Sequence, residues 1–125
     1  MILKEETVKY YNPIVEKSFN FAIRIIRFYK LKSLDNYLLN SLLKQLLRSG
    51  TSIGANVSEA QSAFTKKDFI NKLGIALKES RETEYWLKLF KETAIISEKE
   101  FKSLFEDCEE LSKLLTSIIK SSKEL

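Results

Sequence analysis

The chain has 125 residues, the size of one domain, and its 44% hydrophobic and 30% charged content is typical of a folded globular protein. It contains no histidine, one cysteine and three glycines. It therefore lacks the usual general base, the commonest metal ligand and a glycine-rich phosphate loop. These absences exclude Ser-His-Asp chemistry and predict a protein that is not an enzyme and holds no cofactor or metal ion.

Hydrophobic residues recur at steps of three and four along the chain, which is the spacing of helices that bury one face. This pattern predicts four helices, at about residues 13–31, 36–64, 66–95 and 98–121. Pro13 fits the first turn of the first helix. Thr65 with Asp68, and Ser97 with Glu100, form capping boxes that begin the third and fourth helices.

Each predicted helix has one face for the core. On the first helix the predicted core residues are Val15, Phe19, Ala22, Ile26 and Tyr29. On the other three helices the core faces run from Leu39 to Phe64, from Phe69 to Ala94 and from Phe101 to Ile118. The fourth face includes the lone cysteine, Cys108, which we predict to be a core residue.

Four helices with short connections predict an all-α fold, an antiparallel up-and-down four-helix bundle that forms a single domain over residues 1–125. Antiparallel packing of the second and third helices pairs residues whose numbers sum to about 130. This register places Arg48 near Glu82 and Glu59 near Lys72. It also brings Gly54 to the level of Gly74, where two missing side chains would allow a close approach. If the Arg48–Glu82 pair is partly buried, losing one partner would cost about 3–5 kcal/mol.

The basic residues of the first helix form one stripe along the helix without compensating acids. The stripe consists of Lys17, Arg24, Arg27 and Lys30. Such a stripe is the electrostatic footprint of a protein that binds nucleic-acid phosphates. The alternative is a solvated helix face, because the net charge of +4 is modest.

The first helix also has more hydrophobic residues than one core face requires. Phe21, Ile25 and Phe28 lie outside the predicted core face, and Tyr85 and Trp86 add large side chains on the third helix. These are residue types that anchor protein interfaces, so we predict that they form an oligomer interface. The alternative is that these aromatic residues belong to the core.

Two segments carry a family resemblance, residues 47–60 (LRSGTSIGANVSEA) and 75–87 (IALKESRETEYWL). They resemble the signature of the bacterial four-helix-bundle proteins named after the intervening sequences of 23S ribosomal RNA genes. The resemblance implies a ring, typically a pentamer, without known catalytic activity. It also implies structural roles for the motif residues Arg48, Ser52, Asn56, Glu59 and Glu82.

That family is distantly similar to the accessory variability proteins of diversity-generating retroelements, which bind nucleic acid and a reverse transcriptase. By analogy, the leading hypothesis is a non-enzymatic homo-oligomer, a pentamer, whose basic stripe binds the RNA or DNA backbone. The alternative is a protein-interaction scaffold or accessory subunit without direct nucleic-acid contact, for example one that binds a reverse transcriptase. The first residues resemble no signal peptide and no segment is apolar enough for a membrane span, which predicts a cytoplasmic protein.

Overall fold

The computed structural model describes the backbone of residues 2–33 and 37–124 and the side chains from residue 13 onward within those ranges. It contains four helices, α1 (Ile2–Lys32), α2 (Tyr37–Ala60), α3 (Lys66–Glu92) and α4 (Glu98–Glu124). Helices that follow one another pack together, and α1 also contacts α4. The described part of the chain has no β-strand. The all-α four-helix bundle predicted from the sequence is therefore confirmed.

Helix boundaries differ from the prediction most at α1. This helix begins at Ile2, so Pro13 lies inside it rather than in its first turn. Proline has no amide hydrogen, and α1 therefore lacks one backbone hydrogen bond at this point. At its C-terminal end, α2 stops at Ala60, so Phe64 lies in the connection between α2 and α3 and is 99% exposed. The predicted first residue of the second helix, at position 36, lies outside the described residues.

Side-chain caps begin the last two helices, as predicted. The Thr65 hydroxyl accepts a hydrogen bond from the Asp68 amide at 3.0 Å. Ser97 and Glu100 close a box in both directions: the Glu100 amide donates to Ser97 Oγ at 3.1 Å, and the Ser97 amide donates to Glu100 Oε1 at 2.9 Å. Each bond satisfies an amide that has no partner within the helix, and so fixes where the helix starts.

The predicted core faces of α2, α3 and α4 are largely correct. The residues they bury as predicted are Leu43, Leu46, Gly50, Ile53, Val57, Ala60, Leu73, Ala76, Ser80, Thr83, Leu87, Phe90, Cys108, Leu111, Leu115 and Ile118. Leu104 is buried on α4, where the neighbouring Phe101 and Phe105 are only half-buried and stack on each other. Burial also raises the pKa of the Cys108 thiol, so this cysteine is an inert core residue.

The predicted core face of α1 is wrong at Phe19 and Ile26, although Val15 and Tyr29 are half-buried against the core. Phe19 is 66% exposed and Ile26 is 44% exposed, whereas Ile14, Ser18 and Ile25 are buried. The observed core face is displaced by one residue, which corresponds to a rotation of the helix by about 100°. Both faces of α1 have hydrophobic residues at helical spacing. The observed core face contains the polar Ser18, so the sequence pattern favoured the other face as the core.

Two glycines of α2 decide which face of α1 is buried. A Cβ atom added at Gly54 would lie 3.0 Å from the backbone oxygen of Ser18, and one added at Gly50 would lie 2.9 Å from Cγ1 of Ile25. The close approach that the glycines allow is therefore to α1, not to α3. Gly74 has no atom within 4 Å of such a Cβ, so the predicted contact of Gly54 with Gly74 is wrong.

Two pairs of buried hydroxyl groups join α3 to α2 on one side and to α4 on the other. Thr83 Oγ1 donates to Ser49 Oγ at 2.9 Å, and Ser80 Oγ lies 2.7 Å from Ser112 Oγ. Cys108 Sγ donates to the backbone oxygen of Ser80 at 3.3 Å. Because a buried polar group without a partner is costly, these bonds favour one register of the three helices over its neighbours.

We predict that Gly50→Ala destabilises the protein by about 1–2 kcal/mol, because its Cβ would overlap the Ile25 side chain in a packed core. Gly74→Ala is the matched control, since it also replaces a helical glycine but meets no atom. It should stabilise the protein by about 0.5–1 kcal/mol, the usual gain of alanine over glycine in a helix. Chemical denaturation measures both, and a Gly50→Ala variant as stable as Gly74→Ala would contradict the close contact.

Candidate interaction surfaces

Half of the predicted cationic stripe is neutralised within the subunit. Lys17 Nζ lies 3.0 Å from Glu110 Oε1, and Arg24 pairs with Asp107 and donates to Ser103 Oγ at 2.8 Å. The prediction of a stripe without compensating acids is therefore wrong for Lys17 and Arg24. The physical reason is that the rotation of α1 turns both side chains toward the acidic face of α4.

The other two cations of the stripe remain available. Arg27 and Lys30 are exposed, and neither forms an ion pair within the part of the chain that the structure describes. They lie toward the side of α1 that faces away from the core. A phosphate contact made by this stripe would therefore depend on Arg27 and Lys30 in each subunit rather than on all four of its residues.

The predicted oligomer interface is wrong at two of its five residues. Phe21 and Ile25 are 2% and 0% exposed, because they point into the core once α1 is rotated. Phe28 is half-buried against the same core, with the ammonium of Lys32 5.7 Å from the centre of its ring. Phe19 and Ile26, which the sequence pattern had assigned to the core, are instead exposed, as is Leu31 near the end of α1.

Tyr85 and Trp86 lie on the outer side of α3 and contact each other edge to face at 5.2 Å between ring centres. Trp86 is half-buried: its ring packs on Phe90 and its Nε1 donates to Glu82 at 3.2 Å. Tyr85 is 58% exposed. Of the two predicted interface residues, Tyr85 is the one that projects from the subunit.

The motif residues of α2 and α3 bind one another. Arg48 pairs with Glu82 and, at 3.1 Å, with Glu79, while Lys72 lies 3.4 Å from Glu59. These pairs confirm the predicted register of the two helices. The Arg48 side chain is 48% exposed, so the cost of 3–5 kcal/mol expected for a buried pair does not apply. An exposed pair of this kind contributes about 1 kcal/mol or less.

Ser52 and Asn56 bond to their own helix. Ser52 Oγ donates to the backbone oxygen of Arg48 at 2.6 Å, and Asn56 Nδ2 donates to that of Ser52 at 2.9 Å. Their side-chain hydrogen bonds are thus made inside α2. This arrangement is typical of residues that support packing, and it differs from a binding site, where polar groups converge on empty space.

Two matches with known proteins bear on the family. The model of the 23S rRNA-intervening sequence protein family matches residues 12–117. The chain belongs to this family. It is also 48% identical to a protein of unknown function from the S23 ribosomal protein family of Bacteroides thetaiotaomicron, whose crystal structure aligns with 89% of this chain and 98% of its own at a TM-score of 0.79. Among curated proteins there is no match.

Membership of the 23S rRNA-intervening sequence protein family establishes the fold but assigns no reaction. Within residues 13–33 and 37–124, no three acidic or cysteine side chains come together as a metal-ion site would require. No helix among the described residues has both the length and the hydrophobic content to cross a membrane.

Two glutamates of the bundle have lowered pKa values. The Arg48 hydrogen bond lowers the pKa of Glu82 below its ordinary value near 4.5, although partial burial opposes the shift. Partial burial raises the pKa of Glu100, but the Ser97 amide and Lys32 outweigh it and hold the pKa below the ordinary value. Both carboxylates therefore favour the folded state when they are ionised.

We predict that these two groups contribute to acid denaturation. A glutamate whose pKa is lowered by folding stabilises the protein above its unfolded pKa, and this contribution is lost as the pH falls through the lower folded value. Glu82→Gln combined with Glu100→Gln should flatten the fall of the melting temperature between about pH 5 and pH 3. Glu106→Gln is the control, because Glu106 is exposed and forms no hydrogen bond or ion pair with another described residue. Equal acid sensitivity of both variants would contradict the assignment.

Proposed function

We propose that the protein is a self-assembling helical scaffold whose copies join in a ring through the outer face of α1 (Phe19, Ile23 and Ile26). The observation behind this proposal is the exposure of Phe19 and Ile26 beside a half-buried Ile23. These residues follow at steps of four and three, so they form one strip along the helix. A strip of large hydrophobic side chains on a small bundle is typical of a protein-interaction surface.

Two further features support a head-to-tail ring rather than a two-fold dimer. A hollow of about 220 Å³ lies beside Phe19, between α1 and α2. The projecting Tyr85 lies on α3. Among the described residues α1 and α3 make no contact, so the hollow beside Phe19 and the Tyr85 side chain lie at opposite corners of the bundle. Different surfaces of one subunit that meet in successive copies generate a ring when the rotation closes. The subunit number of five comes from the family resemblance.

The assembly predicts a clear effect of mutation. Phe19→Ser combined with Ile26→Ser should weaken association by more than about tenfold, because aromatic interface anchors contribute about 2 kcal/mol or more. Phe64→Ser is the matched control, since Phe64 is equally hydrophobic but lies in the α2–α3 connection. Sedimentation should give a multiple of the 14.5 kDa chain for the wild type and the control, and a smaller species for the double variant. A monomeric wild type at micromolar concentration would overturn the proposal.

A second candidate function, contact with an RNA or DNA backbone, is supported by the exposure of Arg27 and Lys30 beside the outer face of α1. Neither has an intramolecular ion pair among the described residues, so both are free to meet phosphates. A ring repeats these two cations in every subunit, and multivalent binding can be strong when each contact is weak. This candidate requires assembly, whereas the scaffold does not require nucleic acid.

We predict that any duplex-DNA affinity falls with salt by about 0.9 log unit per phosphate contact for each log unit of salt. Arg27→Glu combined with Lys30→Glu should abolish this binding, while Lys44→Glu, an exposed lysine on α2, should leave it largely intact. Fluorescence anisotropy with a DNA duplex and an RNA hairpin measures both. Binding that is absent at low salt, or that survives the double reversal, would leave the scaffold as the function.

A further inference from the structure

A cleft of about 450 Å³ lies between the C-terminal half of α1 and the first turns of α4. It opens where α1 and α4, the least closely packed pair of neighbouring helices, leave space between them. Its hydrophobic lining is formed by Phe28, Leu31 and Leu104. The volume falls in the range of small-molecule sites, and a mostly apolar lining with a few polar groups at the rim is their usual composition.

Two of the charged side chains at the rim of this cleft are already paired within the subunit. Arg24 is held by Asp107 and by both oxygens of Ser103, so it forms a fixed wall. The Glu100 carboxylate is bound by the Ser97 amide and, at 3.0 Å, by Lys32. Its negative charge is therefore already balanced within the subunit.

Two other cations at the rim are not paired with an acid of the described residues. Arg27 and Lys99 both line the cleft, are exposed and make no ion pair with another described residue. The free charge around the cleft is consequently positive, and the same cleft has a hydrophobic lining. A guanidinium group presents a planar fork of donors that matches a carboxylate.

We propose that this cleft binds a small amphiphilic anion, a carboxylate head with an alkyl or aryl body. The head lies between Arg27 and Lys99, and the body covers Phe28 and the exposed Leu31. Neither part suffices alone: an exposed ion pair is weak in water, and the hydrophobic lining does not select charge. This site shares Arg27 with the candidate nucleic-acid contact, but it does not depend on the assembly proposed above.

Decanoate below its critical micelle concentration is a suitable probe, and NMR chemical shifts of the 125-residue protein report its binding. We expect saturable binding with shifts confined to the second half of α1 and the first turns of α4. Acetate tests the head alone and decyltrimethylammonium tests the body with the opposite charge, and each should bind at least about tenfold more weakly.

Arg27→Gln and Lys99→Gln should each weaken decanoate binding by about fivefold, the upper range for an exposed ion pair. Lys44→Gln is the matched control and should bind like the wild type, because Lys44 is exposed on α2 and away from the cleft. The replaced side chains are exposed, so the variants should fold, and their melting temperatures verify this. Equal binding of the cationic amphiphile, shifts spread over the whole bundle, or an unchanged affinity in both cleft variants would overturn the proposal.

Discussion

The close contact between the glycines of α2 and the backbone of α1 determines which side of α1 is inside the bundle. Gly50 and Gly54 leave room only for the ridge that contains Ser18 and Ile25. A large residue in place of Ser18 would hold the helices apart, so the small polar side chain belongs at the tightest point of the interface. Once this ridge packs against the glycines, the rotation of α1 about its axis is fixed. The set of α1 side chains that face solvent is then fixed as well.

The electrostatics of the molecule depend on the same rotation. With Ile25 inward, Lys17 and Arg24 turn toward α4 and meet Glu110 and Asp107. The net charge of the chain therefore says little about its free charge, because much of the basic side of α1 is matched by the acidic side of α4. The exposed side of α1 therefore combines the hydrophobic Phe19 and Ile26 with the cations Arg27 and Lys30, which are unpaired among the described residues. This combination suits contacts with other molecules better than contact with water alone.

The sequence predicts α2, α3 and α4 well because each has one dominant hydrophobic face. It fails on α1 because two faces, one with Phe19 and the other with Ile25, both have helical spacing, and only the glycines of α2 select between them. The ion pairs of Lys17 and Arg24 with α4 were missed for the same reason, because both side chains meet Glu110 and Asp107 only when Ile25 faces inward. The cleft between α1 and α4 was not predictable either, because local spacing does not report how closely two helices pack.

The family motif thus explains the architecture more directly than the function. Its glycines admit α1, its Ser49 receives the hydrogen bond from Thr83, and its Arg48 ties α2 to α3. All of these are requirements of packing, so a chain can match the family through them whatever its outer surfaces bind. The outer face of α1 and the cleft beside α4 lie beyond the motif segments, and the motif contributes to the proposed surfaces only through Tyr85 and one wall of the hollow beside Phe19. Membership of the family therefore constrains the fold strongly, while the activity has to be read from the exposed side chains of α1.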